Sequence, residues 1–414
     1  MSVRSRTAGH VRRVLVPPAV AWLAALAVFA VRSGGGLHLF RVRTWARWDS
    51  TWYLTIAQHG YSAKWHCGGH SIPPHLKPGN YLCGTVQWFA GYPAAIRGLS
   101  EITRLSVPVA ALALSWICWY IYLVAGWQLL EDSVSRTTRW LCLGLLAFAP
   151  GAVYFPAIFP ISLTMAGMLA CLYFVWRSTS RWAPVGAFAA GIAAGSGYIS
   201  AVVLCPALIL AVAVSERARW RACIAGAAGV AAGFAALVLA AQLYTGIWDG
   251  YFIAQSKYAT GTHNPISRFG QHLRPLWDGA SLHRPVERAA AEQTAYTAAI
   301  LVLAAAVLAM LVLRGARIAA SERRDGSAHT RMPGWSQLVR SLPALDVTAL
   351  AAASAAWLIA YGAGARISVW RSEAFAVLAV LLLRHLRWPA LVVPLAAAAY
   401  VASNLAIYFF NGQL

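Results

Sequence analysis

One acidic residue stands among aromatic residues in the stretch "RWDSTWYLTIAQHGY", which covers residues 47–61. Acidic residues are scarce in this chain, at 13 of 414. The stretch predicts a short helix that begins near Asp49, and a helix N-terminus favours a carboxylate. A positioned carboxylate is what a general base requires. The simpler interpretation is that Asp49 caps the helix, and the two roles can coexist.

Two arginines follow near the other end of the chain, in the segment "YGAGARISVWRSEA" (residues 361–374). Arg371 has an acidic neighbour, Glu373, with which it can form a pair. Arg366 has no obvious local partner. Because a guanidinium matches the geometry of a phosphate, Arg366 is the first candidate to bind a phosphate group and Arg371 is the second.

Further aromatic and cationic side chains lie in the polar segments that follow the first and seventh apolar runs. They are typical of residues that anchor a protein at the membrane surface. They also suit a cleft for a polar, partly anionic substrate. The candidates for that cleft are Arg47, Trp48, Trp52, Tyr53, His59, Tyr61, Tyr92, Lys257, His263 and Arg268.

Two of the seven cysteines, Cys67 and Cys83, lie in the first polar segment. If this segment is outside the cytoplasm, they are candidates for a disulfide bond. Three histidines lie close by, in and after the motif "HCGGH", but the spacing matches no standard zinc pattern. The sequence therefore predicts neither a metal site nor a cofactor.

Composition limits the fold class. The chain is 59% hydrophobic and 11% charged, whereas a soluble domain carries about 25% charged residues. Many apolar runs approach or exceed the ~20 residues that a membrane-spanning helix needs. We therefore expect an all-α polytopic membrane protein. The net charge of +21 does not indicate nucleic-acid binding, because the basic residues are spread over many short loops.

The apolar runs predict about eleven spans in one integral-membrane domain, residues 1–414. The spans are 14–31, 105–130, 139–155, 160–176, 183–198, 199–214, 222–243, 294–313, 345–362, 373–387 and 389–410. A short second interfacial helix is expected just before the second span. The longest polar segments are 32–104, 244–293 and 314–344.

Basic residues indicate the orientation. If the N-terminus is cytoplasmic, residues 314–344 are also cytoplasmic, and residues 32–104 and 244–293 face outwards. Basic residues are then more than twice as dense in the inner segments as in the outer ones, as the positive-inside rule requires. We expect a multi-pass protein of the plasma membrane with its functional residues in the outer segments.

The opening stretch, followed by "WFAGYPAAIRGL", resembles the PIG-V family, which adds the second mannose to GPI anchors, and most of all its actinobacterial relatives. The matching positions are Trp48-Asp49, Leu54, Ile56-Ala57, Gly60-Tyr61 and Tyr92-Pro93. The segment "SVWRSEAF" (residues 368–375) resembles the last outer loop of the bacterial members. The chain departs from eukaryotic members at residues 159–163 and 195–198.

This resemblance implies a GT-C glycosyltransferase that uses a polyprenyl-phosphate sugar as donor. An acid in the first outer loop, here Asp49, is then the catalytic base. It would take the proton of an acceptor hydroxyl on a glycolipid or another cell-envelope molecule, and the sugar would be transferred with inversion. Membrane lipids are the other expected partners.

Two other classes of function remain open from the sequence. A transporter or lipid flippase would place ionisable residues or broken helices near the middle of the membrane, whereas the acidic residues here cluster at the predicted outer rim. A non-catalytic member of the family is the third alternative, although it would have no need to keep Asp49.

Overall fold

The structure, a computed structural model, describes most of the chain. The described residues are 3–65, 82–214, 219–256, 263–278, 285–324, 343–363 and 368–413.

These residues form sixteen α-helices, two short strands and five 3₁₀ helices. The α-helices, labelled α1 to α16 in chain order, are Val3–Arg32, Val42–Trp45, Ser50–His59, Gly91–Thr103, Val107–Leu129, Arg136–Ala147, Ile161–Trp176, Ala183–Gly195, Leu204–Val214, Trp220–Thr245, Gly250–Ser256, Pro265–Leu273, Pro285–Arg324, Ala344–Gly362, Ser368–Ser372 and Pro389–Phe410. The 3₁₀ helices are Gly36–Phe40, Ala152–Tyr154, Ile199–Val203, Arg274–Leu276 and Glu373–His385. Strands β1 (Ala63–Trp65) and β2 (Leu82–Gly84) pair antiparallel, with Lys64 opposite Cys83.

The structure confirms the predicted fold class of a helical, multi-pass membrane protein. Among the described residues, six helices are long and apolar enough to cross a membrane: α1, α5, α10, α13, α14 and α16. Three shorter apolar helices, Ile161–Trp176, Ala183–Gly195 and Ile199–Ala213, accompany them. Each of the eleven predicted spans overlaps a helical segment. Eleven membrane crossings stay a prediction.

The predicted span 139–155 is wrong in its second half. Helix α6 ends at Ala147, and the chain then runs through an irregular, fully buried segment, residues 149–160. Pro150, Pro156 and Pro160 cannot continue a helix, and Gly151 adopts a left-handed conformation with φ of 67°. This buried segment becomes the floor of the site described below.

The predicted span 373–387 is a 3₁₀ helix over Glu373–His385 rather than an α-helix. Its residues from Glu373 to Arg384 are all buried. A 3₁₀ helix rises ~2.0 Å per residue, so these 13 residues extend ~26 Å, against ~20 Å for an α-helix of the same length. The extended form carries a short segment from one end of the bundle almost to the other.

Contacts between polar segments occur at two ends of the helix bundle. At one end, Gln255 donates a hydrogen bond to the backbone oxygen of Gln87 (2.9 Å), and the backbone nitrogen of His263 donates to Gly362 (3.0 Å). These contacts join the two predicted outer segments to each other and to the end of α14. At the opposite end, Arg177 pairs with Asp132 at 2.7 Å. The orientation of these ends in the membrane stays a prediction.

Candidate active site

A tight turn before α3 sets the position of Asp49. Trp48 has a positive φ of 47°, which costs a non-glycine residue conformational energy and is typical of functional sites. The hydroxyl of Ser50 accepts a hydrogen bond from the backbone nitrogen of Arg47 (3.0 Å) and donates one to the carbonyl of Ile158 (3.0 Å). The turn is therefore fastened to the buried segment 149–160.

The Asp49 side chain does not cap α3. Asp49 occupies the N-cap position, but its carboxylate accepts no hydrogen bond from the first turn of the helix. Instead it forms an ion pair with the guanidinium of Arg371. The simpler interpretation of Asp49, as a capping residue, is therefore wrong for its side chain. Arg371 pairs with Asp49 rather than with its sequence neighbour Glu373.

Arg371 is held in a largely buried position beside the chain's first polar segment. Its side chain is 8% exposed, while that of Asp49 is 22% exposed. The guanidinium carbon lies 5.0 Å from the ring centroid of Phe159 and 6.0 Å from that of Tyr154, so both aromatic faces stabilise the cation.

The charge of Arg371 persists despite its burial. Burial disfavours the charged guanidinium, but the carboxylate of Asp49, together with Tyr154 and Tyr198, outweighs it, so the pKa of Arg371 is raised above its ordinary value. The pair is thus a carboxylate and a guanidinium in an aromatic setting, with the carboxylate the more exposed partner. We call Asp49, Arg371 and the aromatic residues around them the Asp49 site.

Tyr53, one helical turn after Asp49, forms the inner wall of this site. Its ring packs edge-on against Trp88 and Tyr92, with centroids 5.5 Å apart in both cases, and against Phe159 at 6.5 Å. Burial, and next the negative charge of Asp49, raise the pKa of Tyr53 well above its usual value.

The structure separates the predicted cleft residues of the first segment into two groups. Tyr53, Tyr61 and Tyr92 face the protein. The hydroxyl of Tyr61 donates to the carbonyl of Trp88 (2.6 Å) and that of Tyr92 contacts Ser115 (2.6 Å). The others lie on the surface or serve the fold: Trp48, Trp52 and His59 are exposed, and Arg47 donates to the carbonyl of Phe410 (2.8 Å). Helix α3 therefore exposes Trp52 and buries Tyr53.

In the second polar segment, Arg268 and His272 lie on a separate helix, α12, and His263 lies just before it. Arg268 lies within 3.2 Å of both ring nitrogens of His263 and donates to Gln271 at 2.9 Å. His272 packs edge-on against Tyr361 with centroids 5.4 Å apart. Helix α12 thus covers the outer end of α14, and His263 and Arg268 interact with each other there.

Three predicted site residues, Lys257, Arg366 and Cys67, lie outside the described residues. Cys83 lies on β2, and the Cys67–Cys83 disulfide stays a prediction. Among the described residues, no group of three or more histidine, cysteine or acidic residues is arranged to hold a metal ion.

Sequence reasoning missed several residues around Arg371. Tyr154 and Phe159 lie beneath the guanidinium, and Tyr198 stacks on Phe375 at 5.4 Å. No sequence pattern marked these residues as part of a site, because aromatic residues inside apolar runs are usually structural. The proline-rich composition of residues 150–160 was the available signal, since it argues against a continuous helix.

A groove of about 550 Å³ lies elsewhere, between α9 and α10. Its lining is apolar and includes Ile209, Val212 and Ile224. With Cys205 as its one titratable lining residue among those described, it offers packing to an apolar chain but no charged group to bind a phosphate.

Fold and site together define a multi-pass helical membrane protein with a partly exposed carboxylate–guanidinium pair at one end of the bundle. No family model matches the chain, and no curated protein matches it either.

Proposed function

We propose that this protein is an integral-membrane glycosyltransferase that moves a mannosyl or similar residue from a polyprenyl-phosphate donor to an extracytoplasmic hydroxyl, with inversion. One observation carries the proposal: the ion pair between Asp49 and Arg371. It joins the acid of the first outer segment to an arginine 322 residues away in the sequence. Sugar transfer from a lipid phosphate requires these two groups, a base for the acceptor hydroxyl and a cation for the departing phosphate.

The chemistry follows from the two charges. Asp49 takes the proton of the acceptor hydroxyl. The hydroxyl oxygen forms a bond to the anomeric carbon while the bond from that carbon to the phosphate oxygen breaks. The electron pair leaves with the polyprenyl phosphate, and the guanidinium of Arg371 stabilises this leaving group by charge-assisted hydrogen bonds. Donor binding would draw Arg371 towards the phosphate and release Asp49 for the acceptor.

The position of Arg371 makes it the leading candidate for the donor phosphate, ahead of Arg366. Its Nε is buried and has no hydrogen-bond partner among the described residues, so it retains a donor that a small rearrangement would offer to a phosphate. The segments in which the sequence departs from the PIG-V pattern contribute Phe159 and Tyr198, and both lie close to Arg371. This altered wall suits an acceptor or sugar different from that of the eukaryotic enzymes.

Buried charges argue against the transporter alternative. Among the described residues, the fully or nearly fully buried charged side chains are Asp346, Arg371, Glu373 and Arg384. Arg371 and Glu373 lie at the first end of the 3₁₀ helix 373–385, and Asp346 pairs with Arg384 at its other end, so none of them lies midway along it. A transporter would place such groups on broken helices near the middle of the membrane.

The direct test is sugar transfer by the purified protein in lipid vesicles. The substrates are a radiolabelled polyprenyl-phosphate mannose and a hydroxyl-bearing glycolipid extract. We expect label to move to the acceptor only with active protein. Labelled donor that instead crosses the bilayer unchanged would contradict the proposal and favour a flippase.

Arg371→Lys should lower kcat/KM for the donor by on the order of 10- to 100-fold, because lysine keeps the charge but loses the fork that binds a phosphate in two places. Arg288→Lys is the matched control, since Arg288 is half exposed and pairs with Glu292 one turn along α13. The measurement is initial rate against donor concentration. Equal kinetics for the two variants would remove Arg371 from the donor site.

The proposal also requires the Asp49 end of the bundle to face away from the cytoplasm. Alkaline phosphatase, which is active only outside the cytoplasm, should be active when fused after residue 60, 265 or 414. It should be inactive when fused after residue 325. The charge asymmetry of the polar segments is the physical reason. Activity at residue 325 together with silence at residue 265 would reverse the orientation and overturn the proposed function.

A further inference from the structure

A cluster of buried polar side chains lies directly behind Arg371. Glu373 accepts hydrogen bonds from Gln293 Nε2 (2.7 Å), from the hydroxyl of Thr294 (2.8 Å) and from the hydroxyl of Tyr361 (2.6 Å). All four side chains are buried. They come from three elements, α13, α14 and the 3₁₀ helix 373–385, and meet two residues from Arg371.

Gln293 connects this cluster to both sides of the Asp49 site. Its Nε2 also donates to the carbonyl of Trp370 (2.8 Å), the residue before Arg371. Its Oε1 accepts from the backbone nitrogen of Gly151 (2.7 Å). Gly151 begins the turn that carries Tyr154, whose ring lies beneath the guanidinium. One amide group thus fixes the backbone before Arg371 and the aromatic floor under it.

The cluster is a costly way to stabilise a membrane-protein core. Buried polar groups lose their water and at best recover that cost when all partners are present. Apolar side chains of similar volume would pack the same helices together. What a satisfied polar network adds is one defined geometry, because every donor must meet its acceptor.

We propose that Gln293 and Glu373 form a clamp that positions Arg371 against Asp49 and the donor phosphate. The inference rests on the proposed function: both are positioning residues for the transfer reaction and act through Arg371. The amide of Gln293 sets the backbone at Trp370, and the carboxylate of Glu373 holds that amide in its orientation. The ring of Tyr361 also packs edge-on against His272, so helix α12 covers the clamp.

A charge exchange tests the clamp. Gln293→Glu would set a second carboxylate against Glu373 at hydrogen-bond distance, with almost no change in shape. We expect kcat to fall by on the order of 10²-fold, since a displacement of about 1 Å at a reacting group costs that much. The double variant Gln293→Glu/Glu373→Gln restores a donor opposite an acceptor between residues 293 and 373, but residue 293 still lacks the N–H that holds the Trp370 carbonyl. It should therefore regain stability while kcat stays at least tenfold below the native value. A role in general packing alone would bring kcat back together with stability.

Glu292→Gln is the matched control. Glu292 is the adjacent residue on α13, but it accepts from Asn404 (2.8 Å) on α16 and takes no part in the clamp. Its variant should transfer sugar within twofold of the native rate. Tyr361→Phe is a milder clamp variant, because it removes one hydroxyl and keeps the ring; it covers the case in which Gln293→Glu does not fold.

A second measurement does not depend on enzyme activity. Phenylglyoxal modifies accessible arginines, and peptide mass spectrometry reports the modification of Arg371 in particular. Arg371 should react slowly in the native protein and in Glu292→Gln, and several-fold faster in Gln293→Glu and Tyr361→Phe. If the native protein transfers no sugar at all, the proposed function fails and this labelling still decides the clamp. Folded clamp variants with native labelling of Arg371, or with native kcat, would overturn the clamp alone.

Discussion

Asp49→Asn should lower the rate of sugar transfer by about 10²- to 10⁴-fold, the range that a general base contributes. The amide has nearly the same shape as the carboxylate, but it cannot accept the proton of the acceptor hydroxyl. The measurement is single-turnover transfer from a polyprenyl-phosphate sugar, with each rate corrected for the folded fraction of the preparation. Transfer at near the native rate would mean that the base lies elsewhere, with Asp249 and Asp278 as the next acids to test.

The ion pair makes the correction for folding essential. Asp49→Asn also leaves the buried guanidinium of Arg371 without its counterion, and breaking a buried pair from one side costs about 3–5 kcal/mol. Loss of transfer by this variant alone therefore fits both a catalytic and a structural role. The double variant Asp49→Asn/Arg371→Met separates them, because it removes both charges and should regain much of the lost stability.

The two roles predict different results for that double variant. If the pair only holds the fold together, recovery of stability should bring recovery of transfer. If Asp49 is the base and Arg371 binds the phosphate, the stable double variant should remain inactive. Asp49→Glu adds a third comparison: it keeps the negative charge for Arg371 but moves the carboxylate by about one methylene, so stability should be largely retained while transfer falls.

The sequence predicted the local structure around Asp49 well. Helix α3 lies over Ser50–His59 and the expected second interfacial helix lies over Gly91–Thr103. Both begin beside turn or small residues and alternate apolar with polar faces, so local signals were sufficient. The membrane character of the chain was equally predictable from the sequence, because long uncharged runs have few other interpretations.

The partner of Asp49 was not accessible from local signals. Arg371 has an acid two residues away, and proximity in sequence suggested a pair with Glu373. Residues two apart do not face each other on a helix, and here the two side chains point to different partners. The true pairing depends on how distant segments meet, which a single sequence does not encode in any local pattern.

Gln293 and Asp346 did leave a signal in the sequence. Each is a polar residue close to or within an apolar run, and such residues in membrane helices usually have a specific partner. The pattern indicates that a partner exists without identifying it. For the 3₁₀ helix 373–385 there was no comparable signal, since its apolar composition suits an α-helix equally well.

Substitution of Asp346 is expected to have a large effect on the stability of the protein. It lies in the first turn of α14, at the end of the bundle opposite Asp49, and its side chain is completely buried. Arg384 Nη1 lies 2.5 Å from its Oδ1, and His385 Nε2 lies 2.9 Å from its Oδ2. Arg384 is buried too, so this pair anchors the inner end of the 3₁₀ helix whose outer end is held by Glu373.

Asp346→Ala should lower the free energy of unfolding by about 3–5 kcal/mol, because it leaves a buried guanidinium without a counterion. Asp132→Ala is the matched control. Asp132 also pairs with an arginine, Arg177, at 2.7 Å, but its side chain is 66% exposed, and an exposed pair contributes only about 0–1 kcal/mol. Unfolding of both variants by denaturant in mixed micelles should give clearly different midpoints. Similar midpoints would mean that water or another group compensates Arg384.

The double variant Asp346→Leu/Arg384→Met tests whether the unpaired guanidinium causes the loss of stability. It exchanges the buried charges for apolar side chains of similar volume, and such exchanges are often neutral or stabilising. We expect its unfolding midpoint to lie close to that of the native protein or above it. The rate of transfer per folded molecule should be unchanged in this variant, since Asp346 and Arg384 lie at the opposite end of the bundle from Asp49. A stable double variant that transfers sugar more than tenfold slower would show instead that the 3₁₀ helix couples its inner end to Arg371.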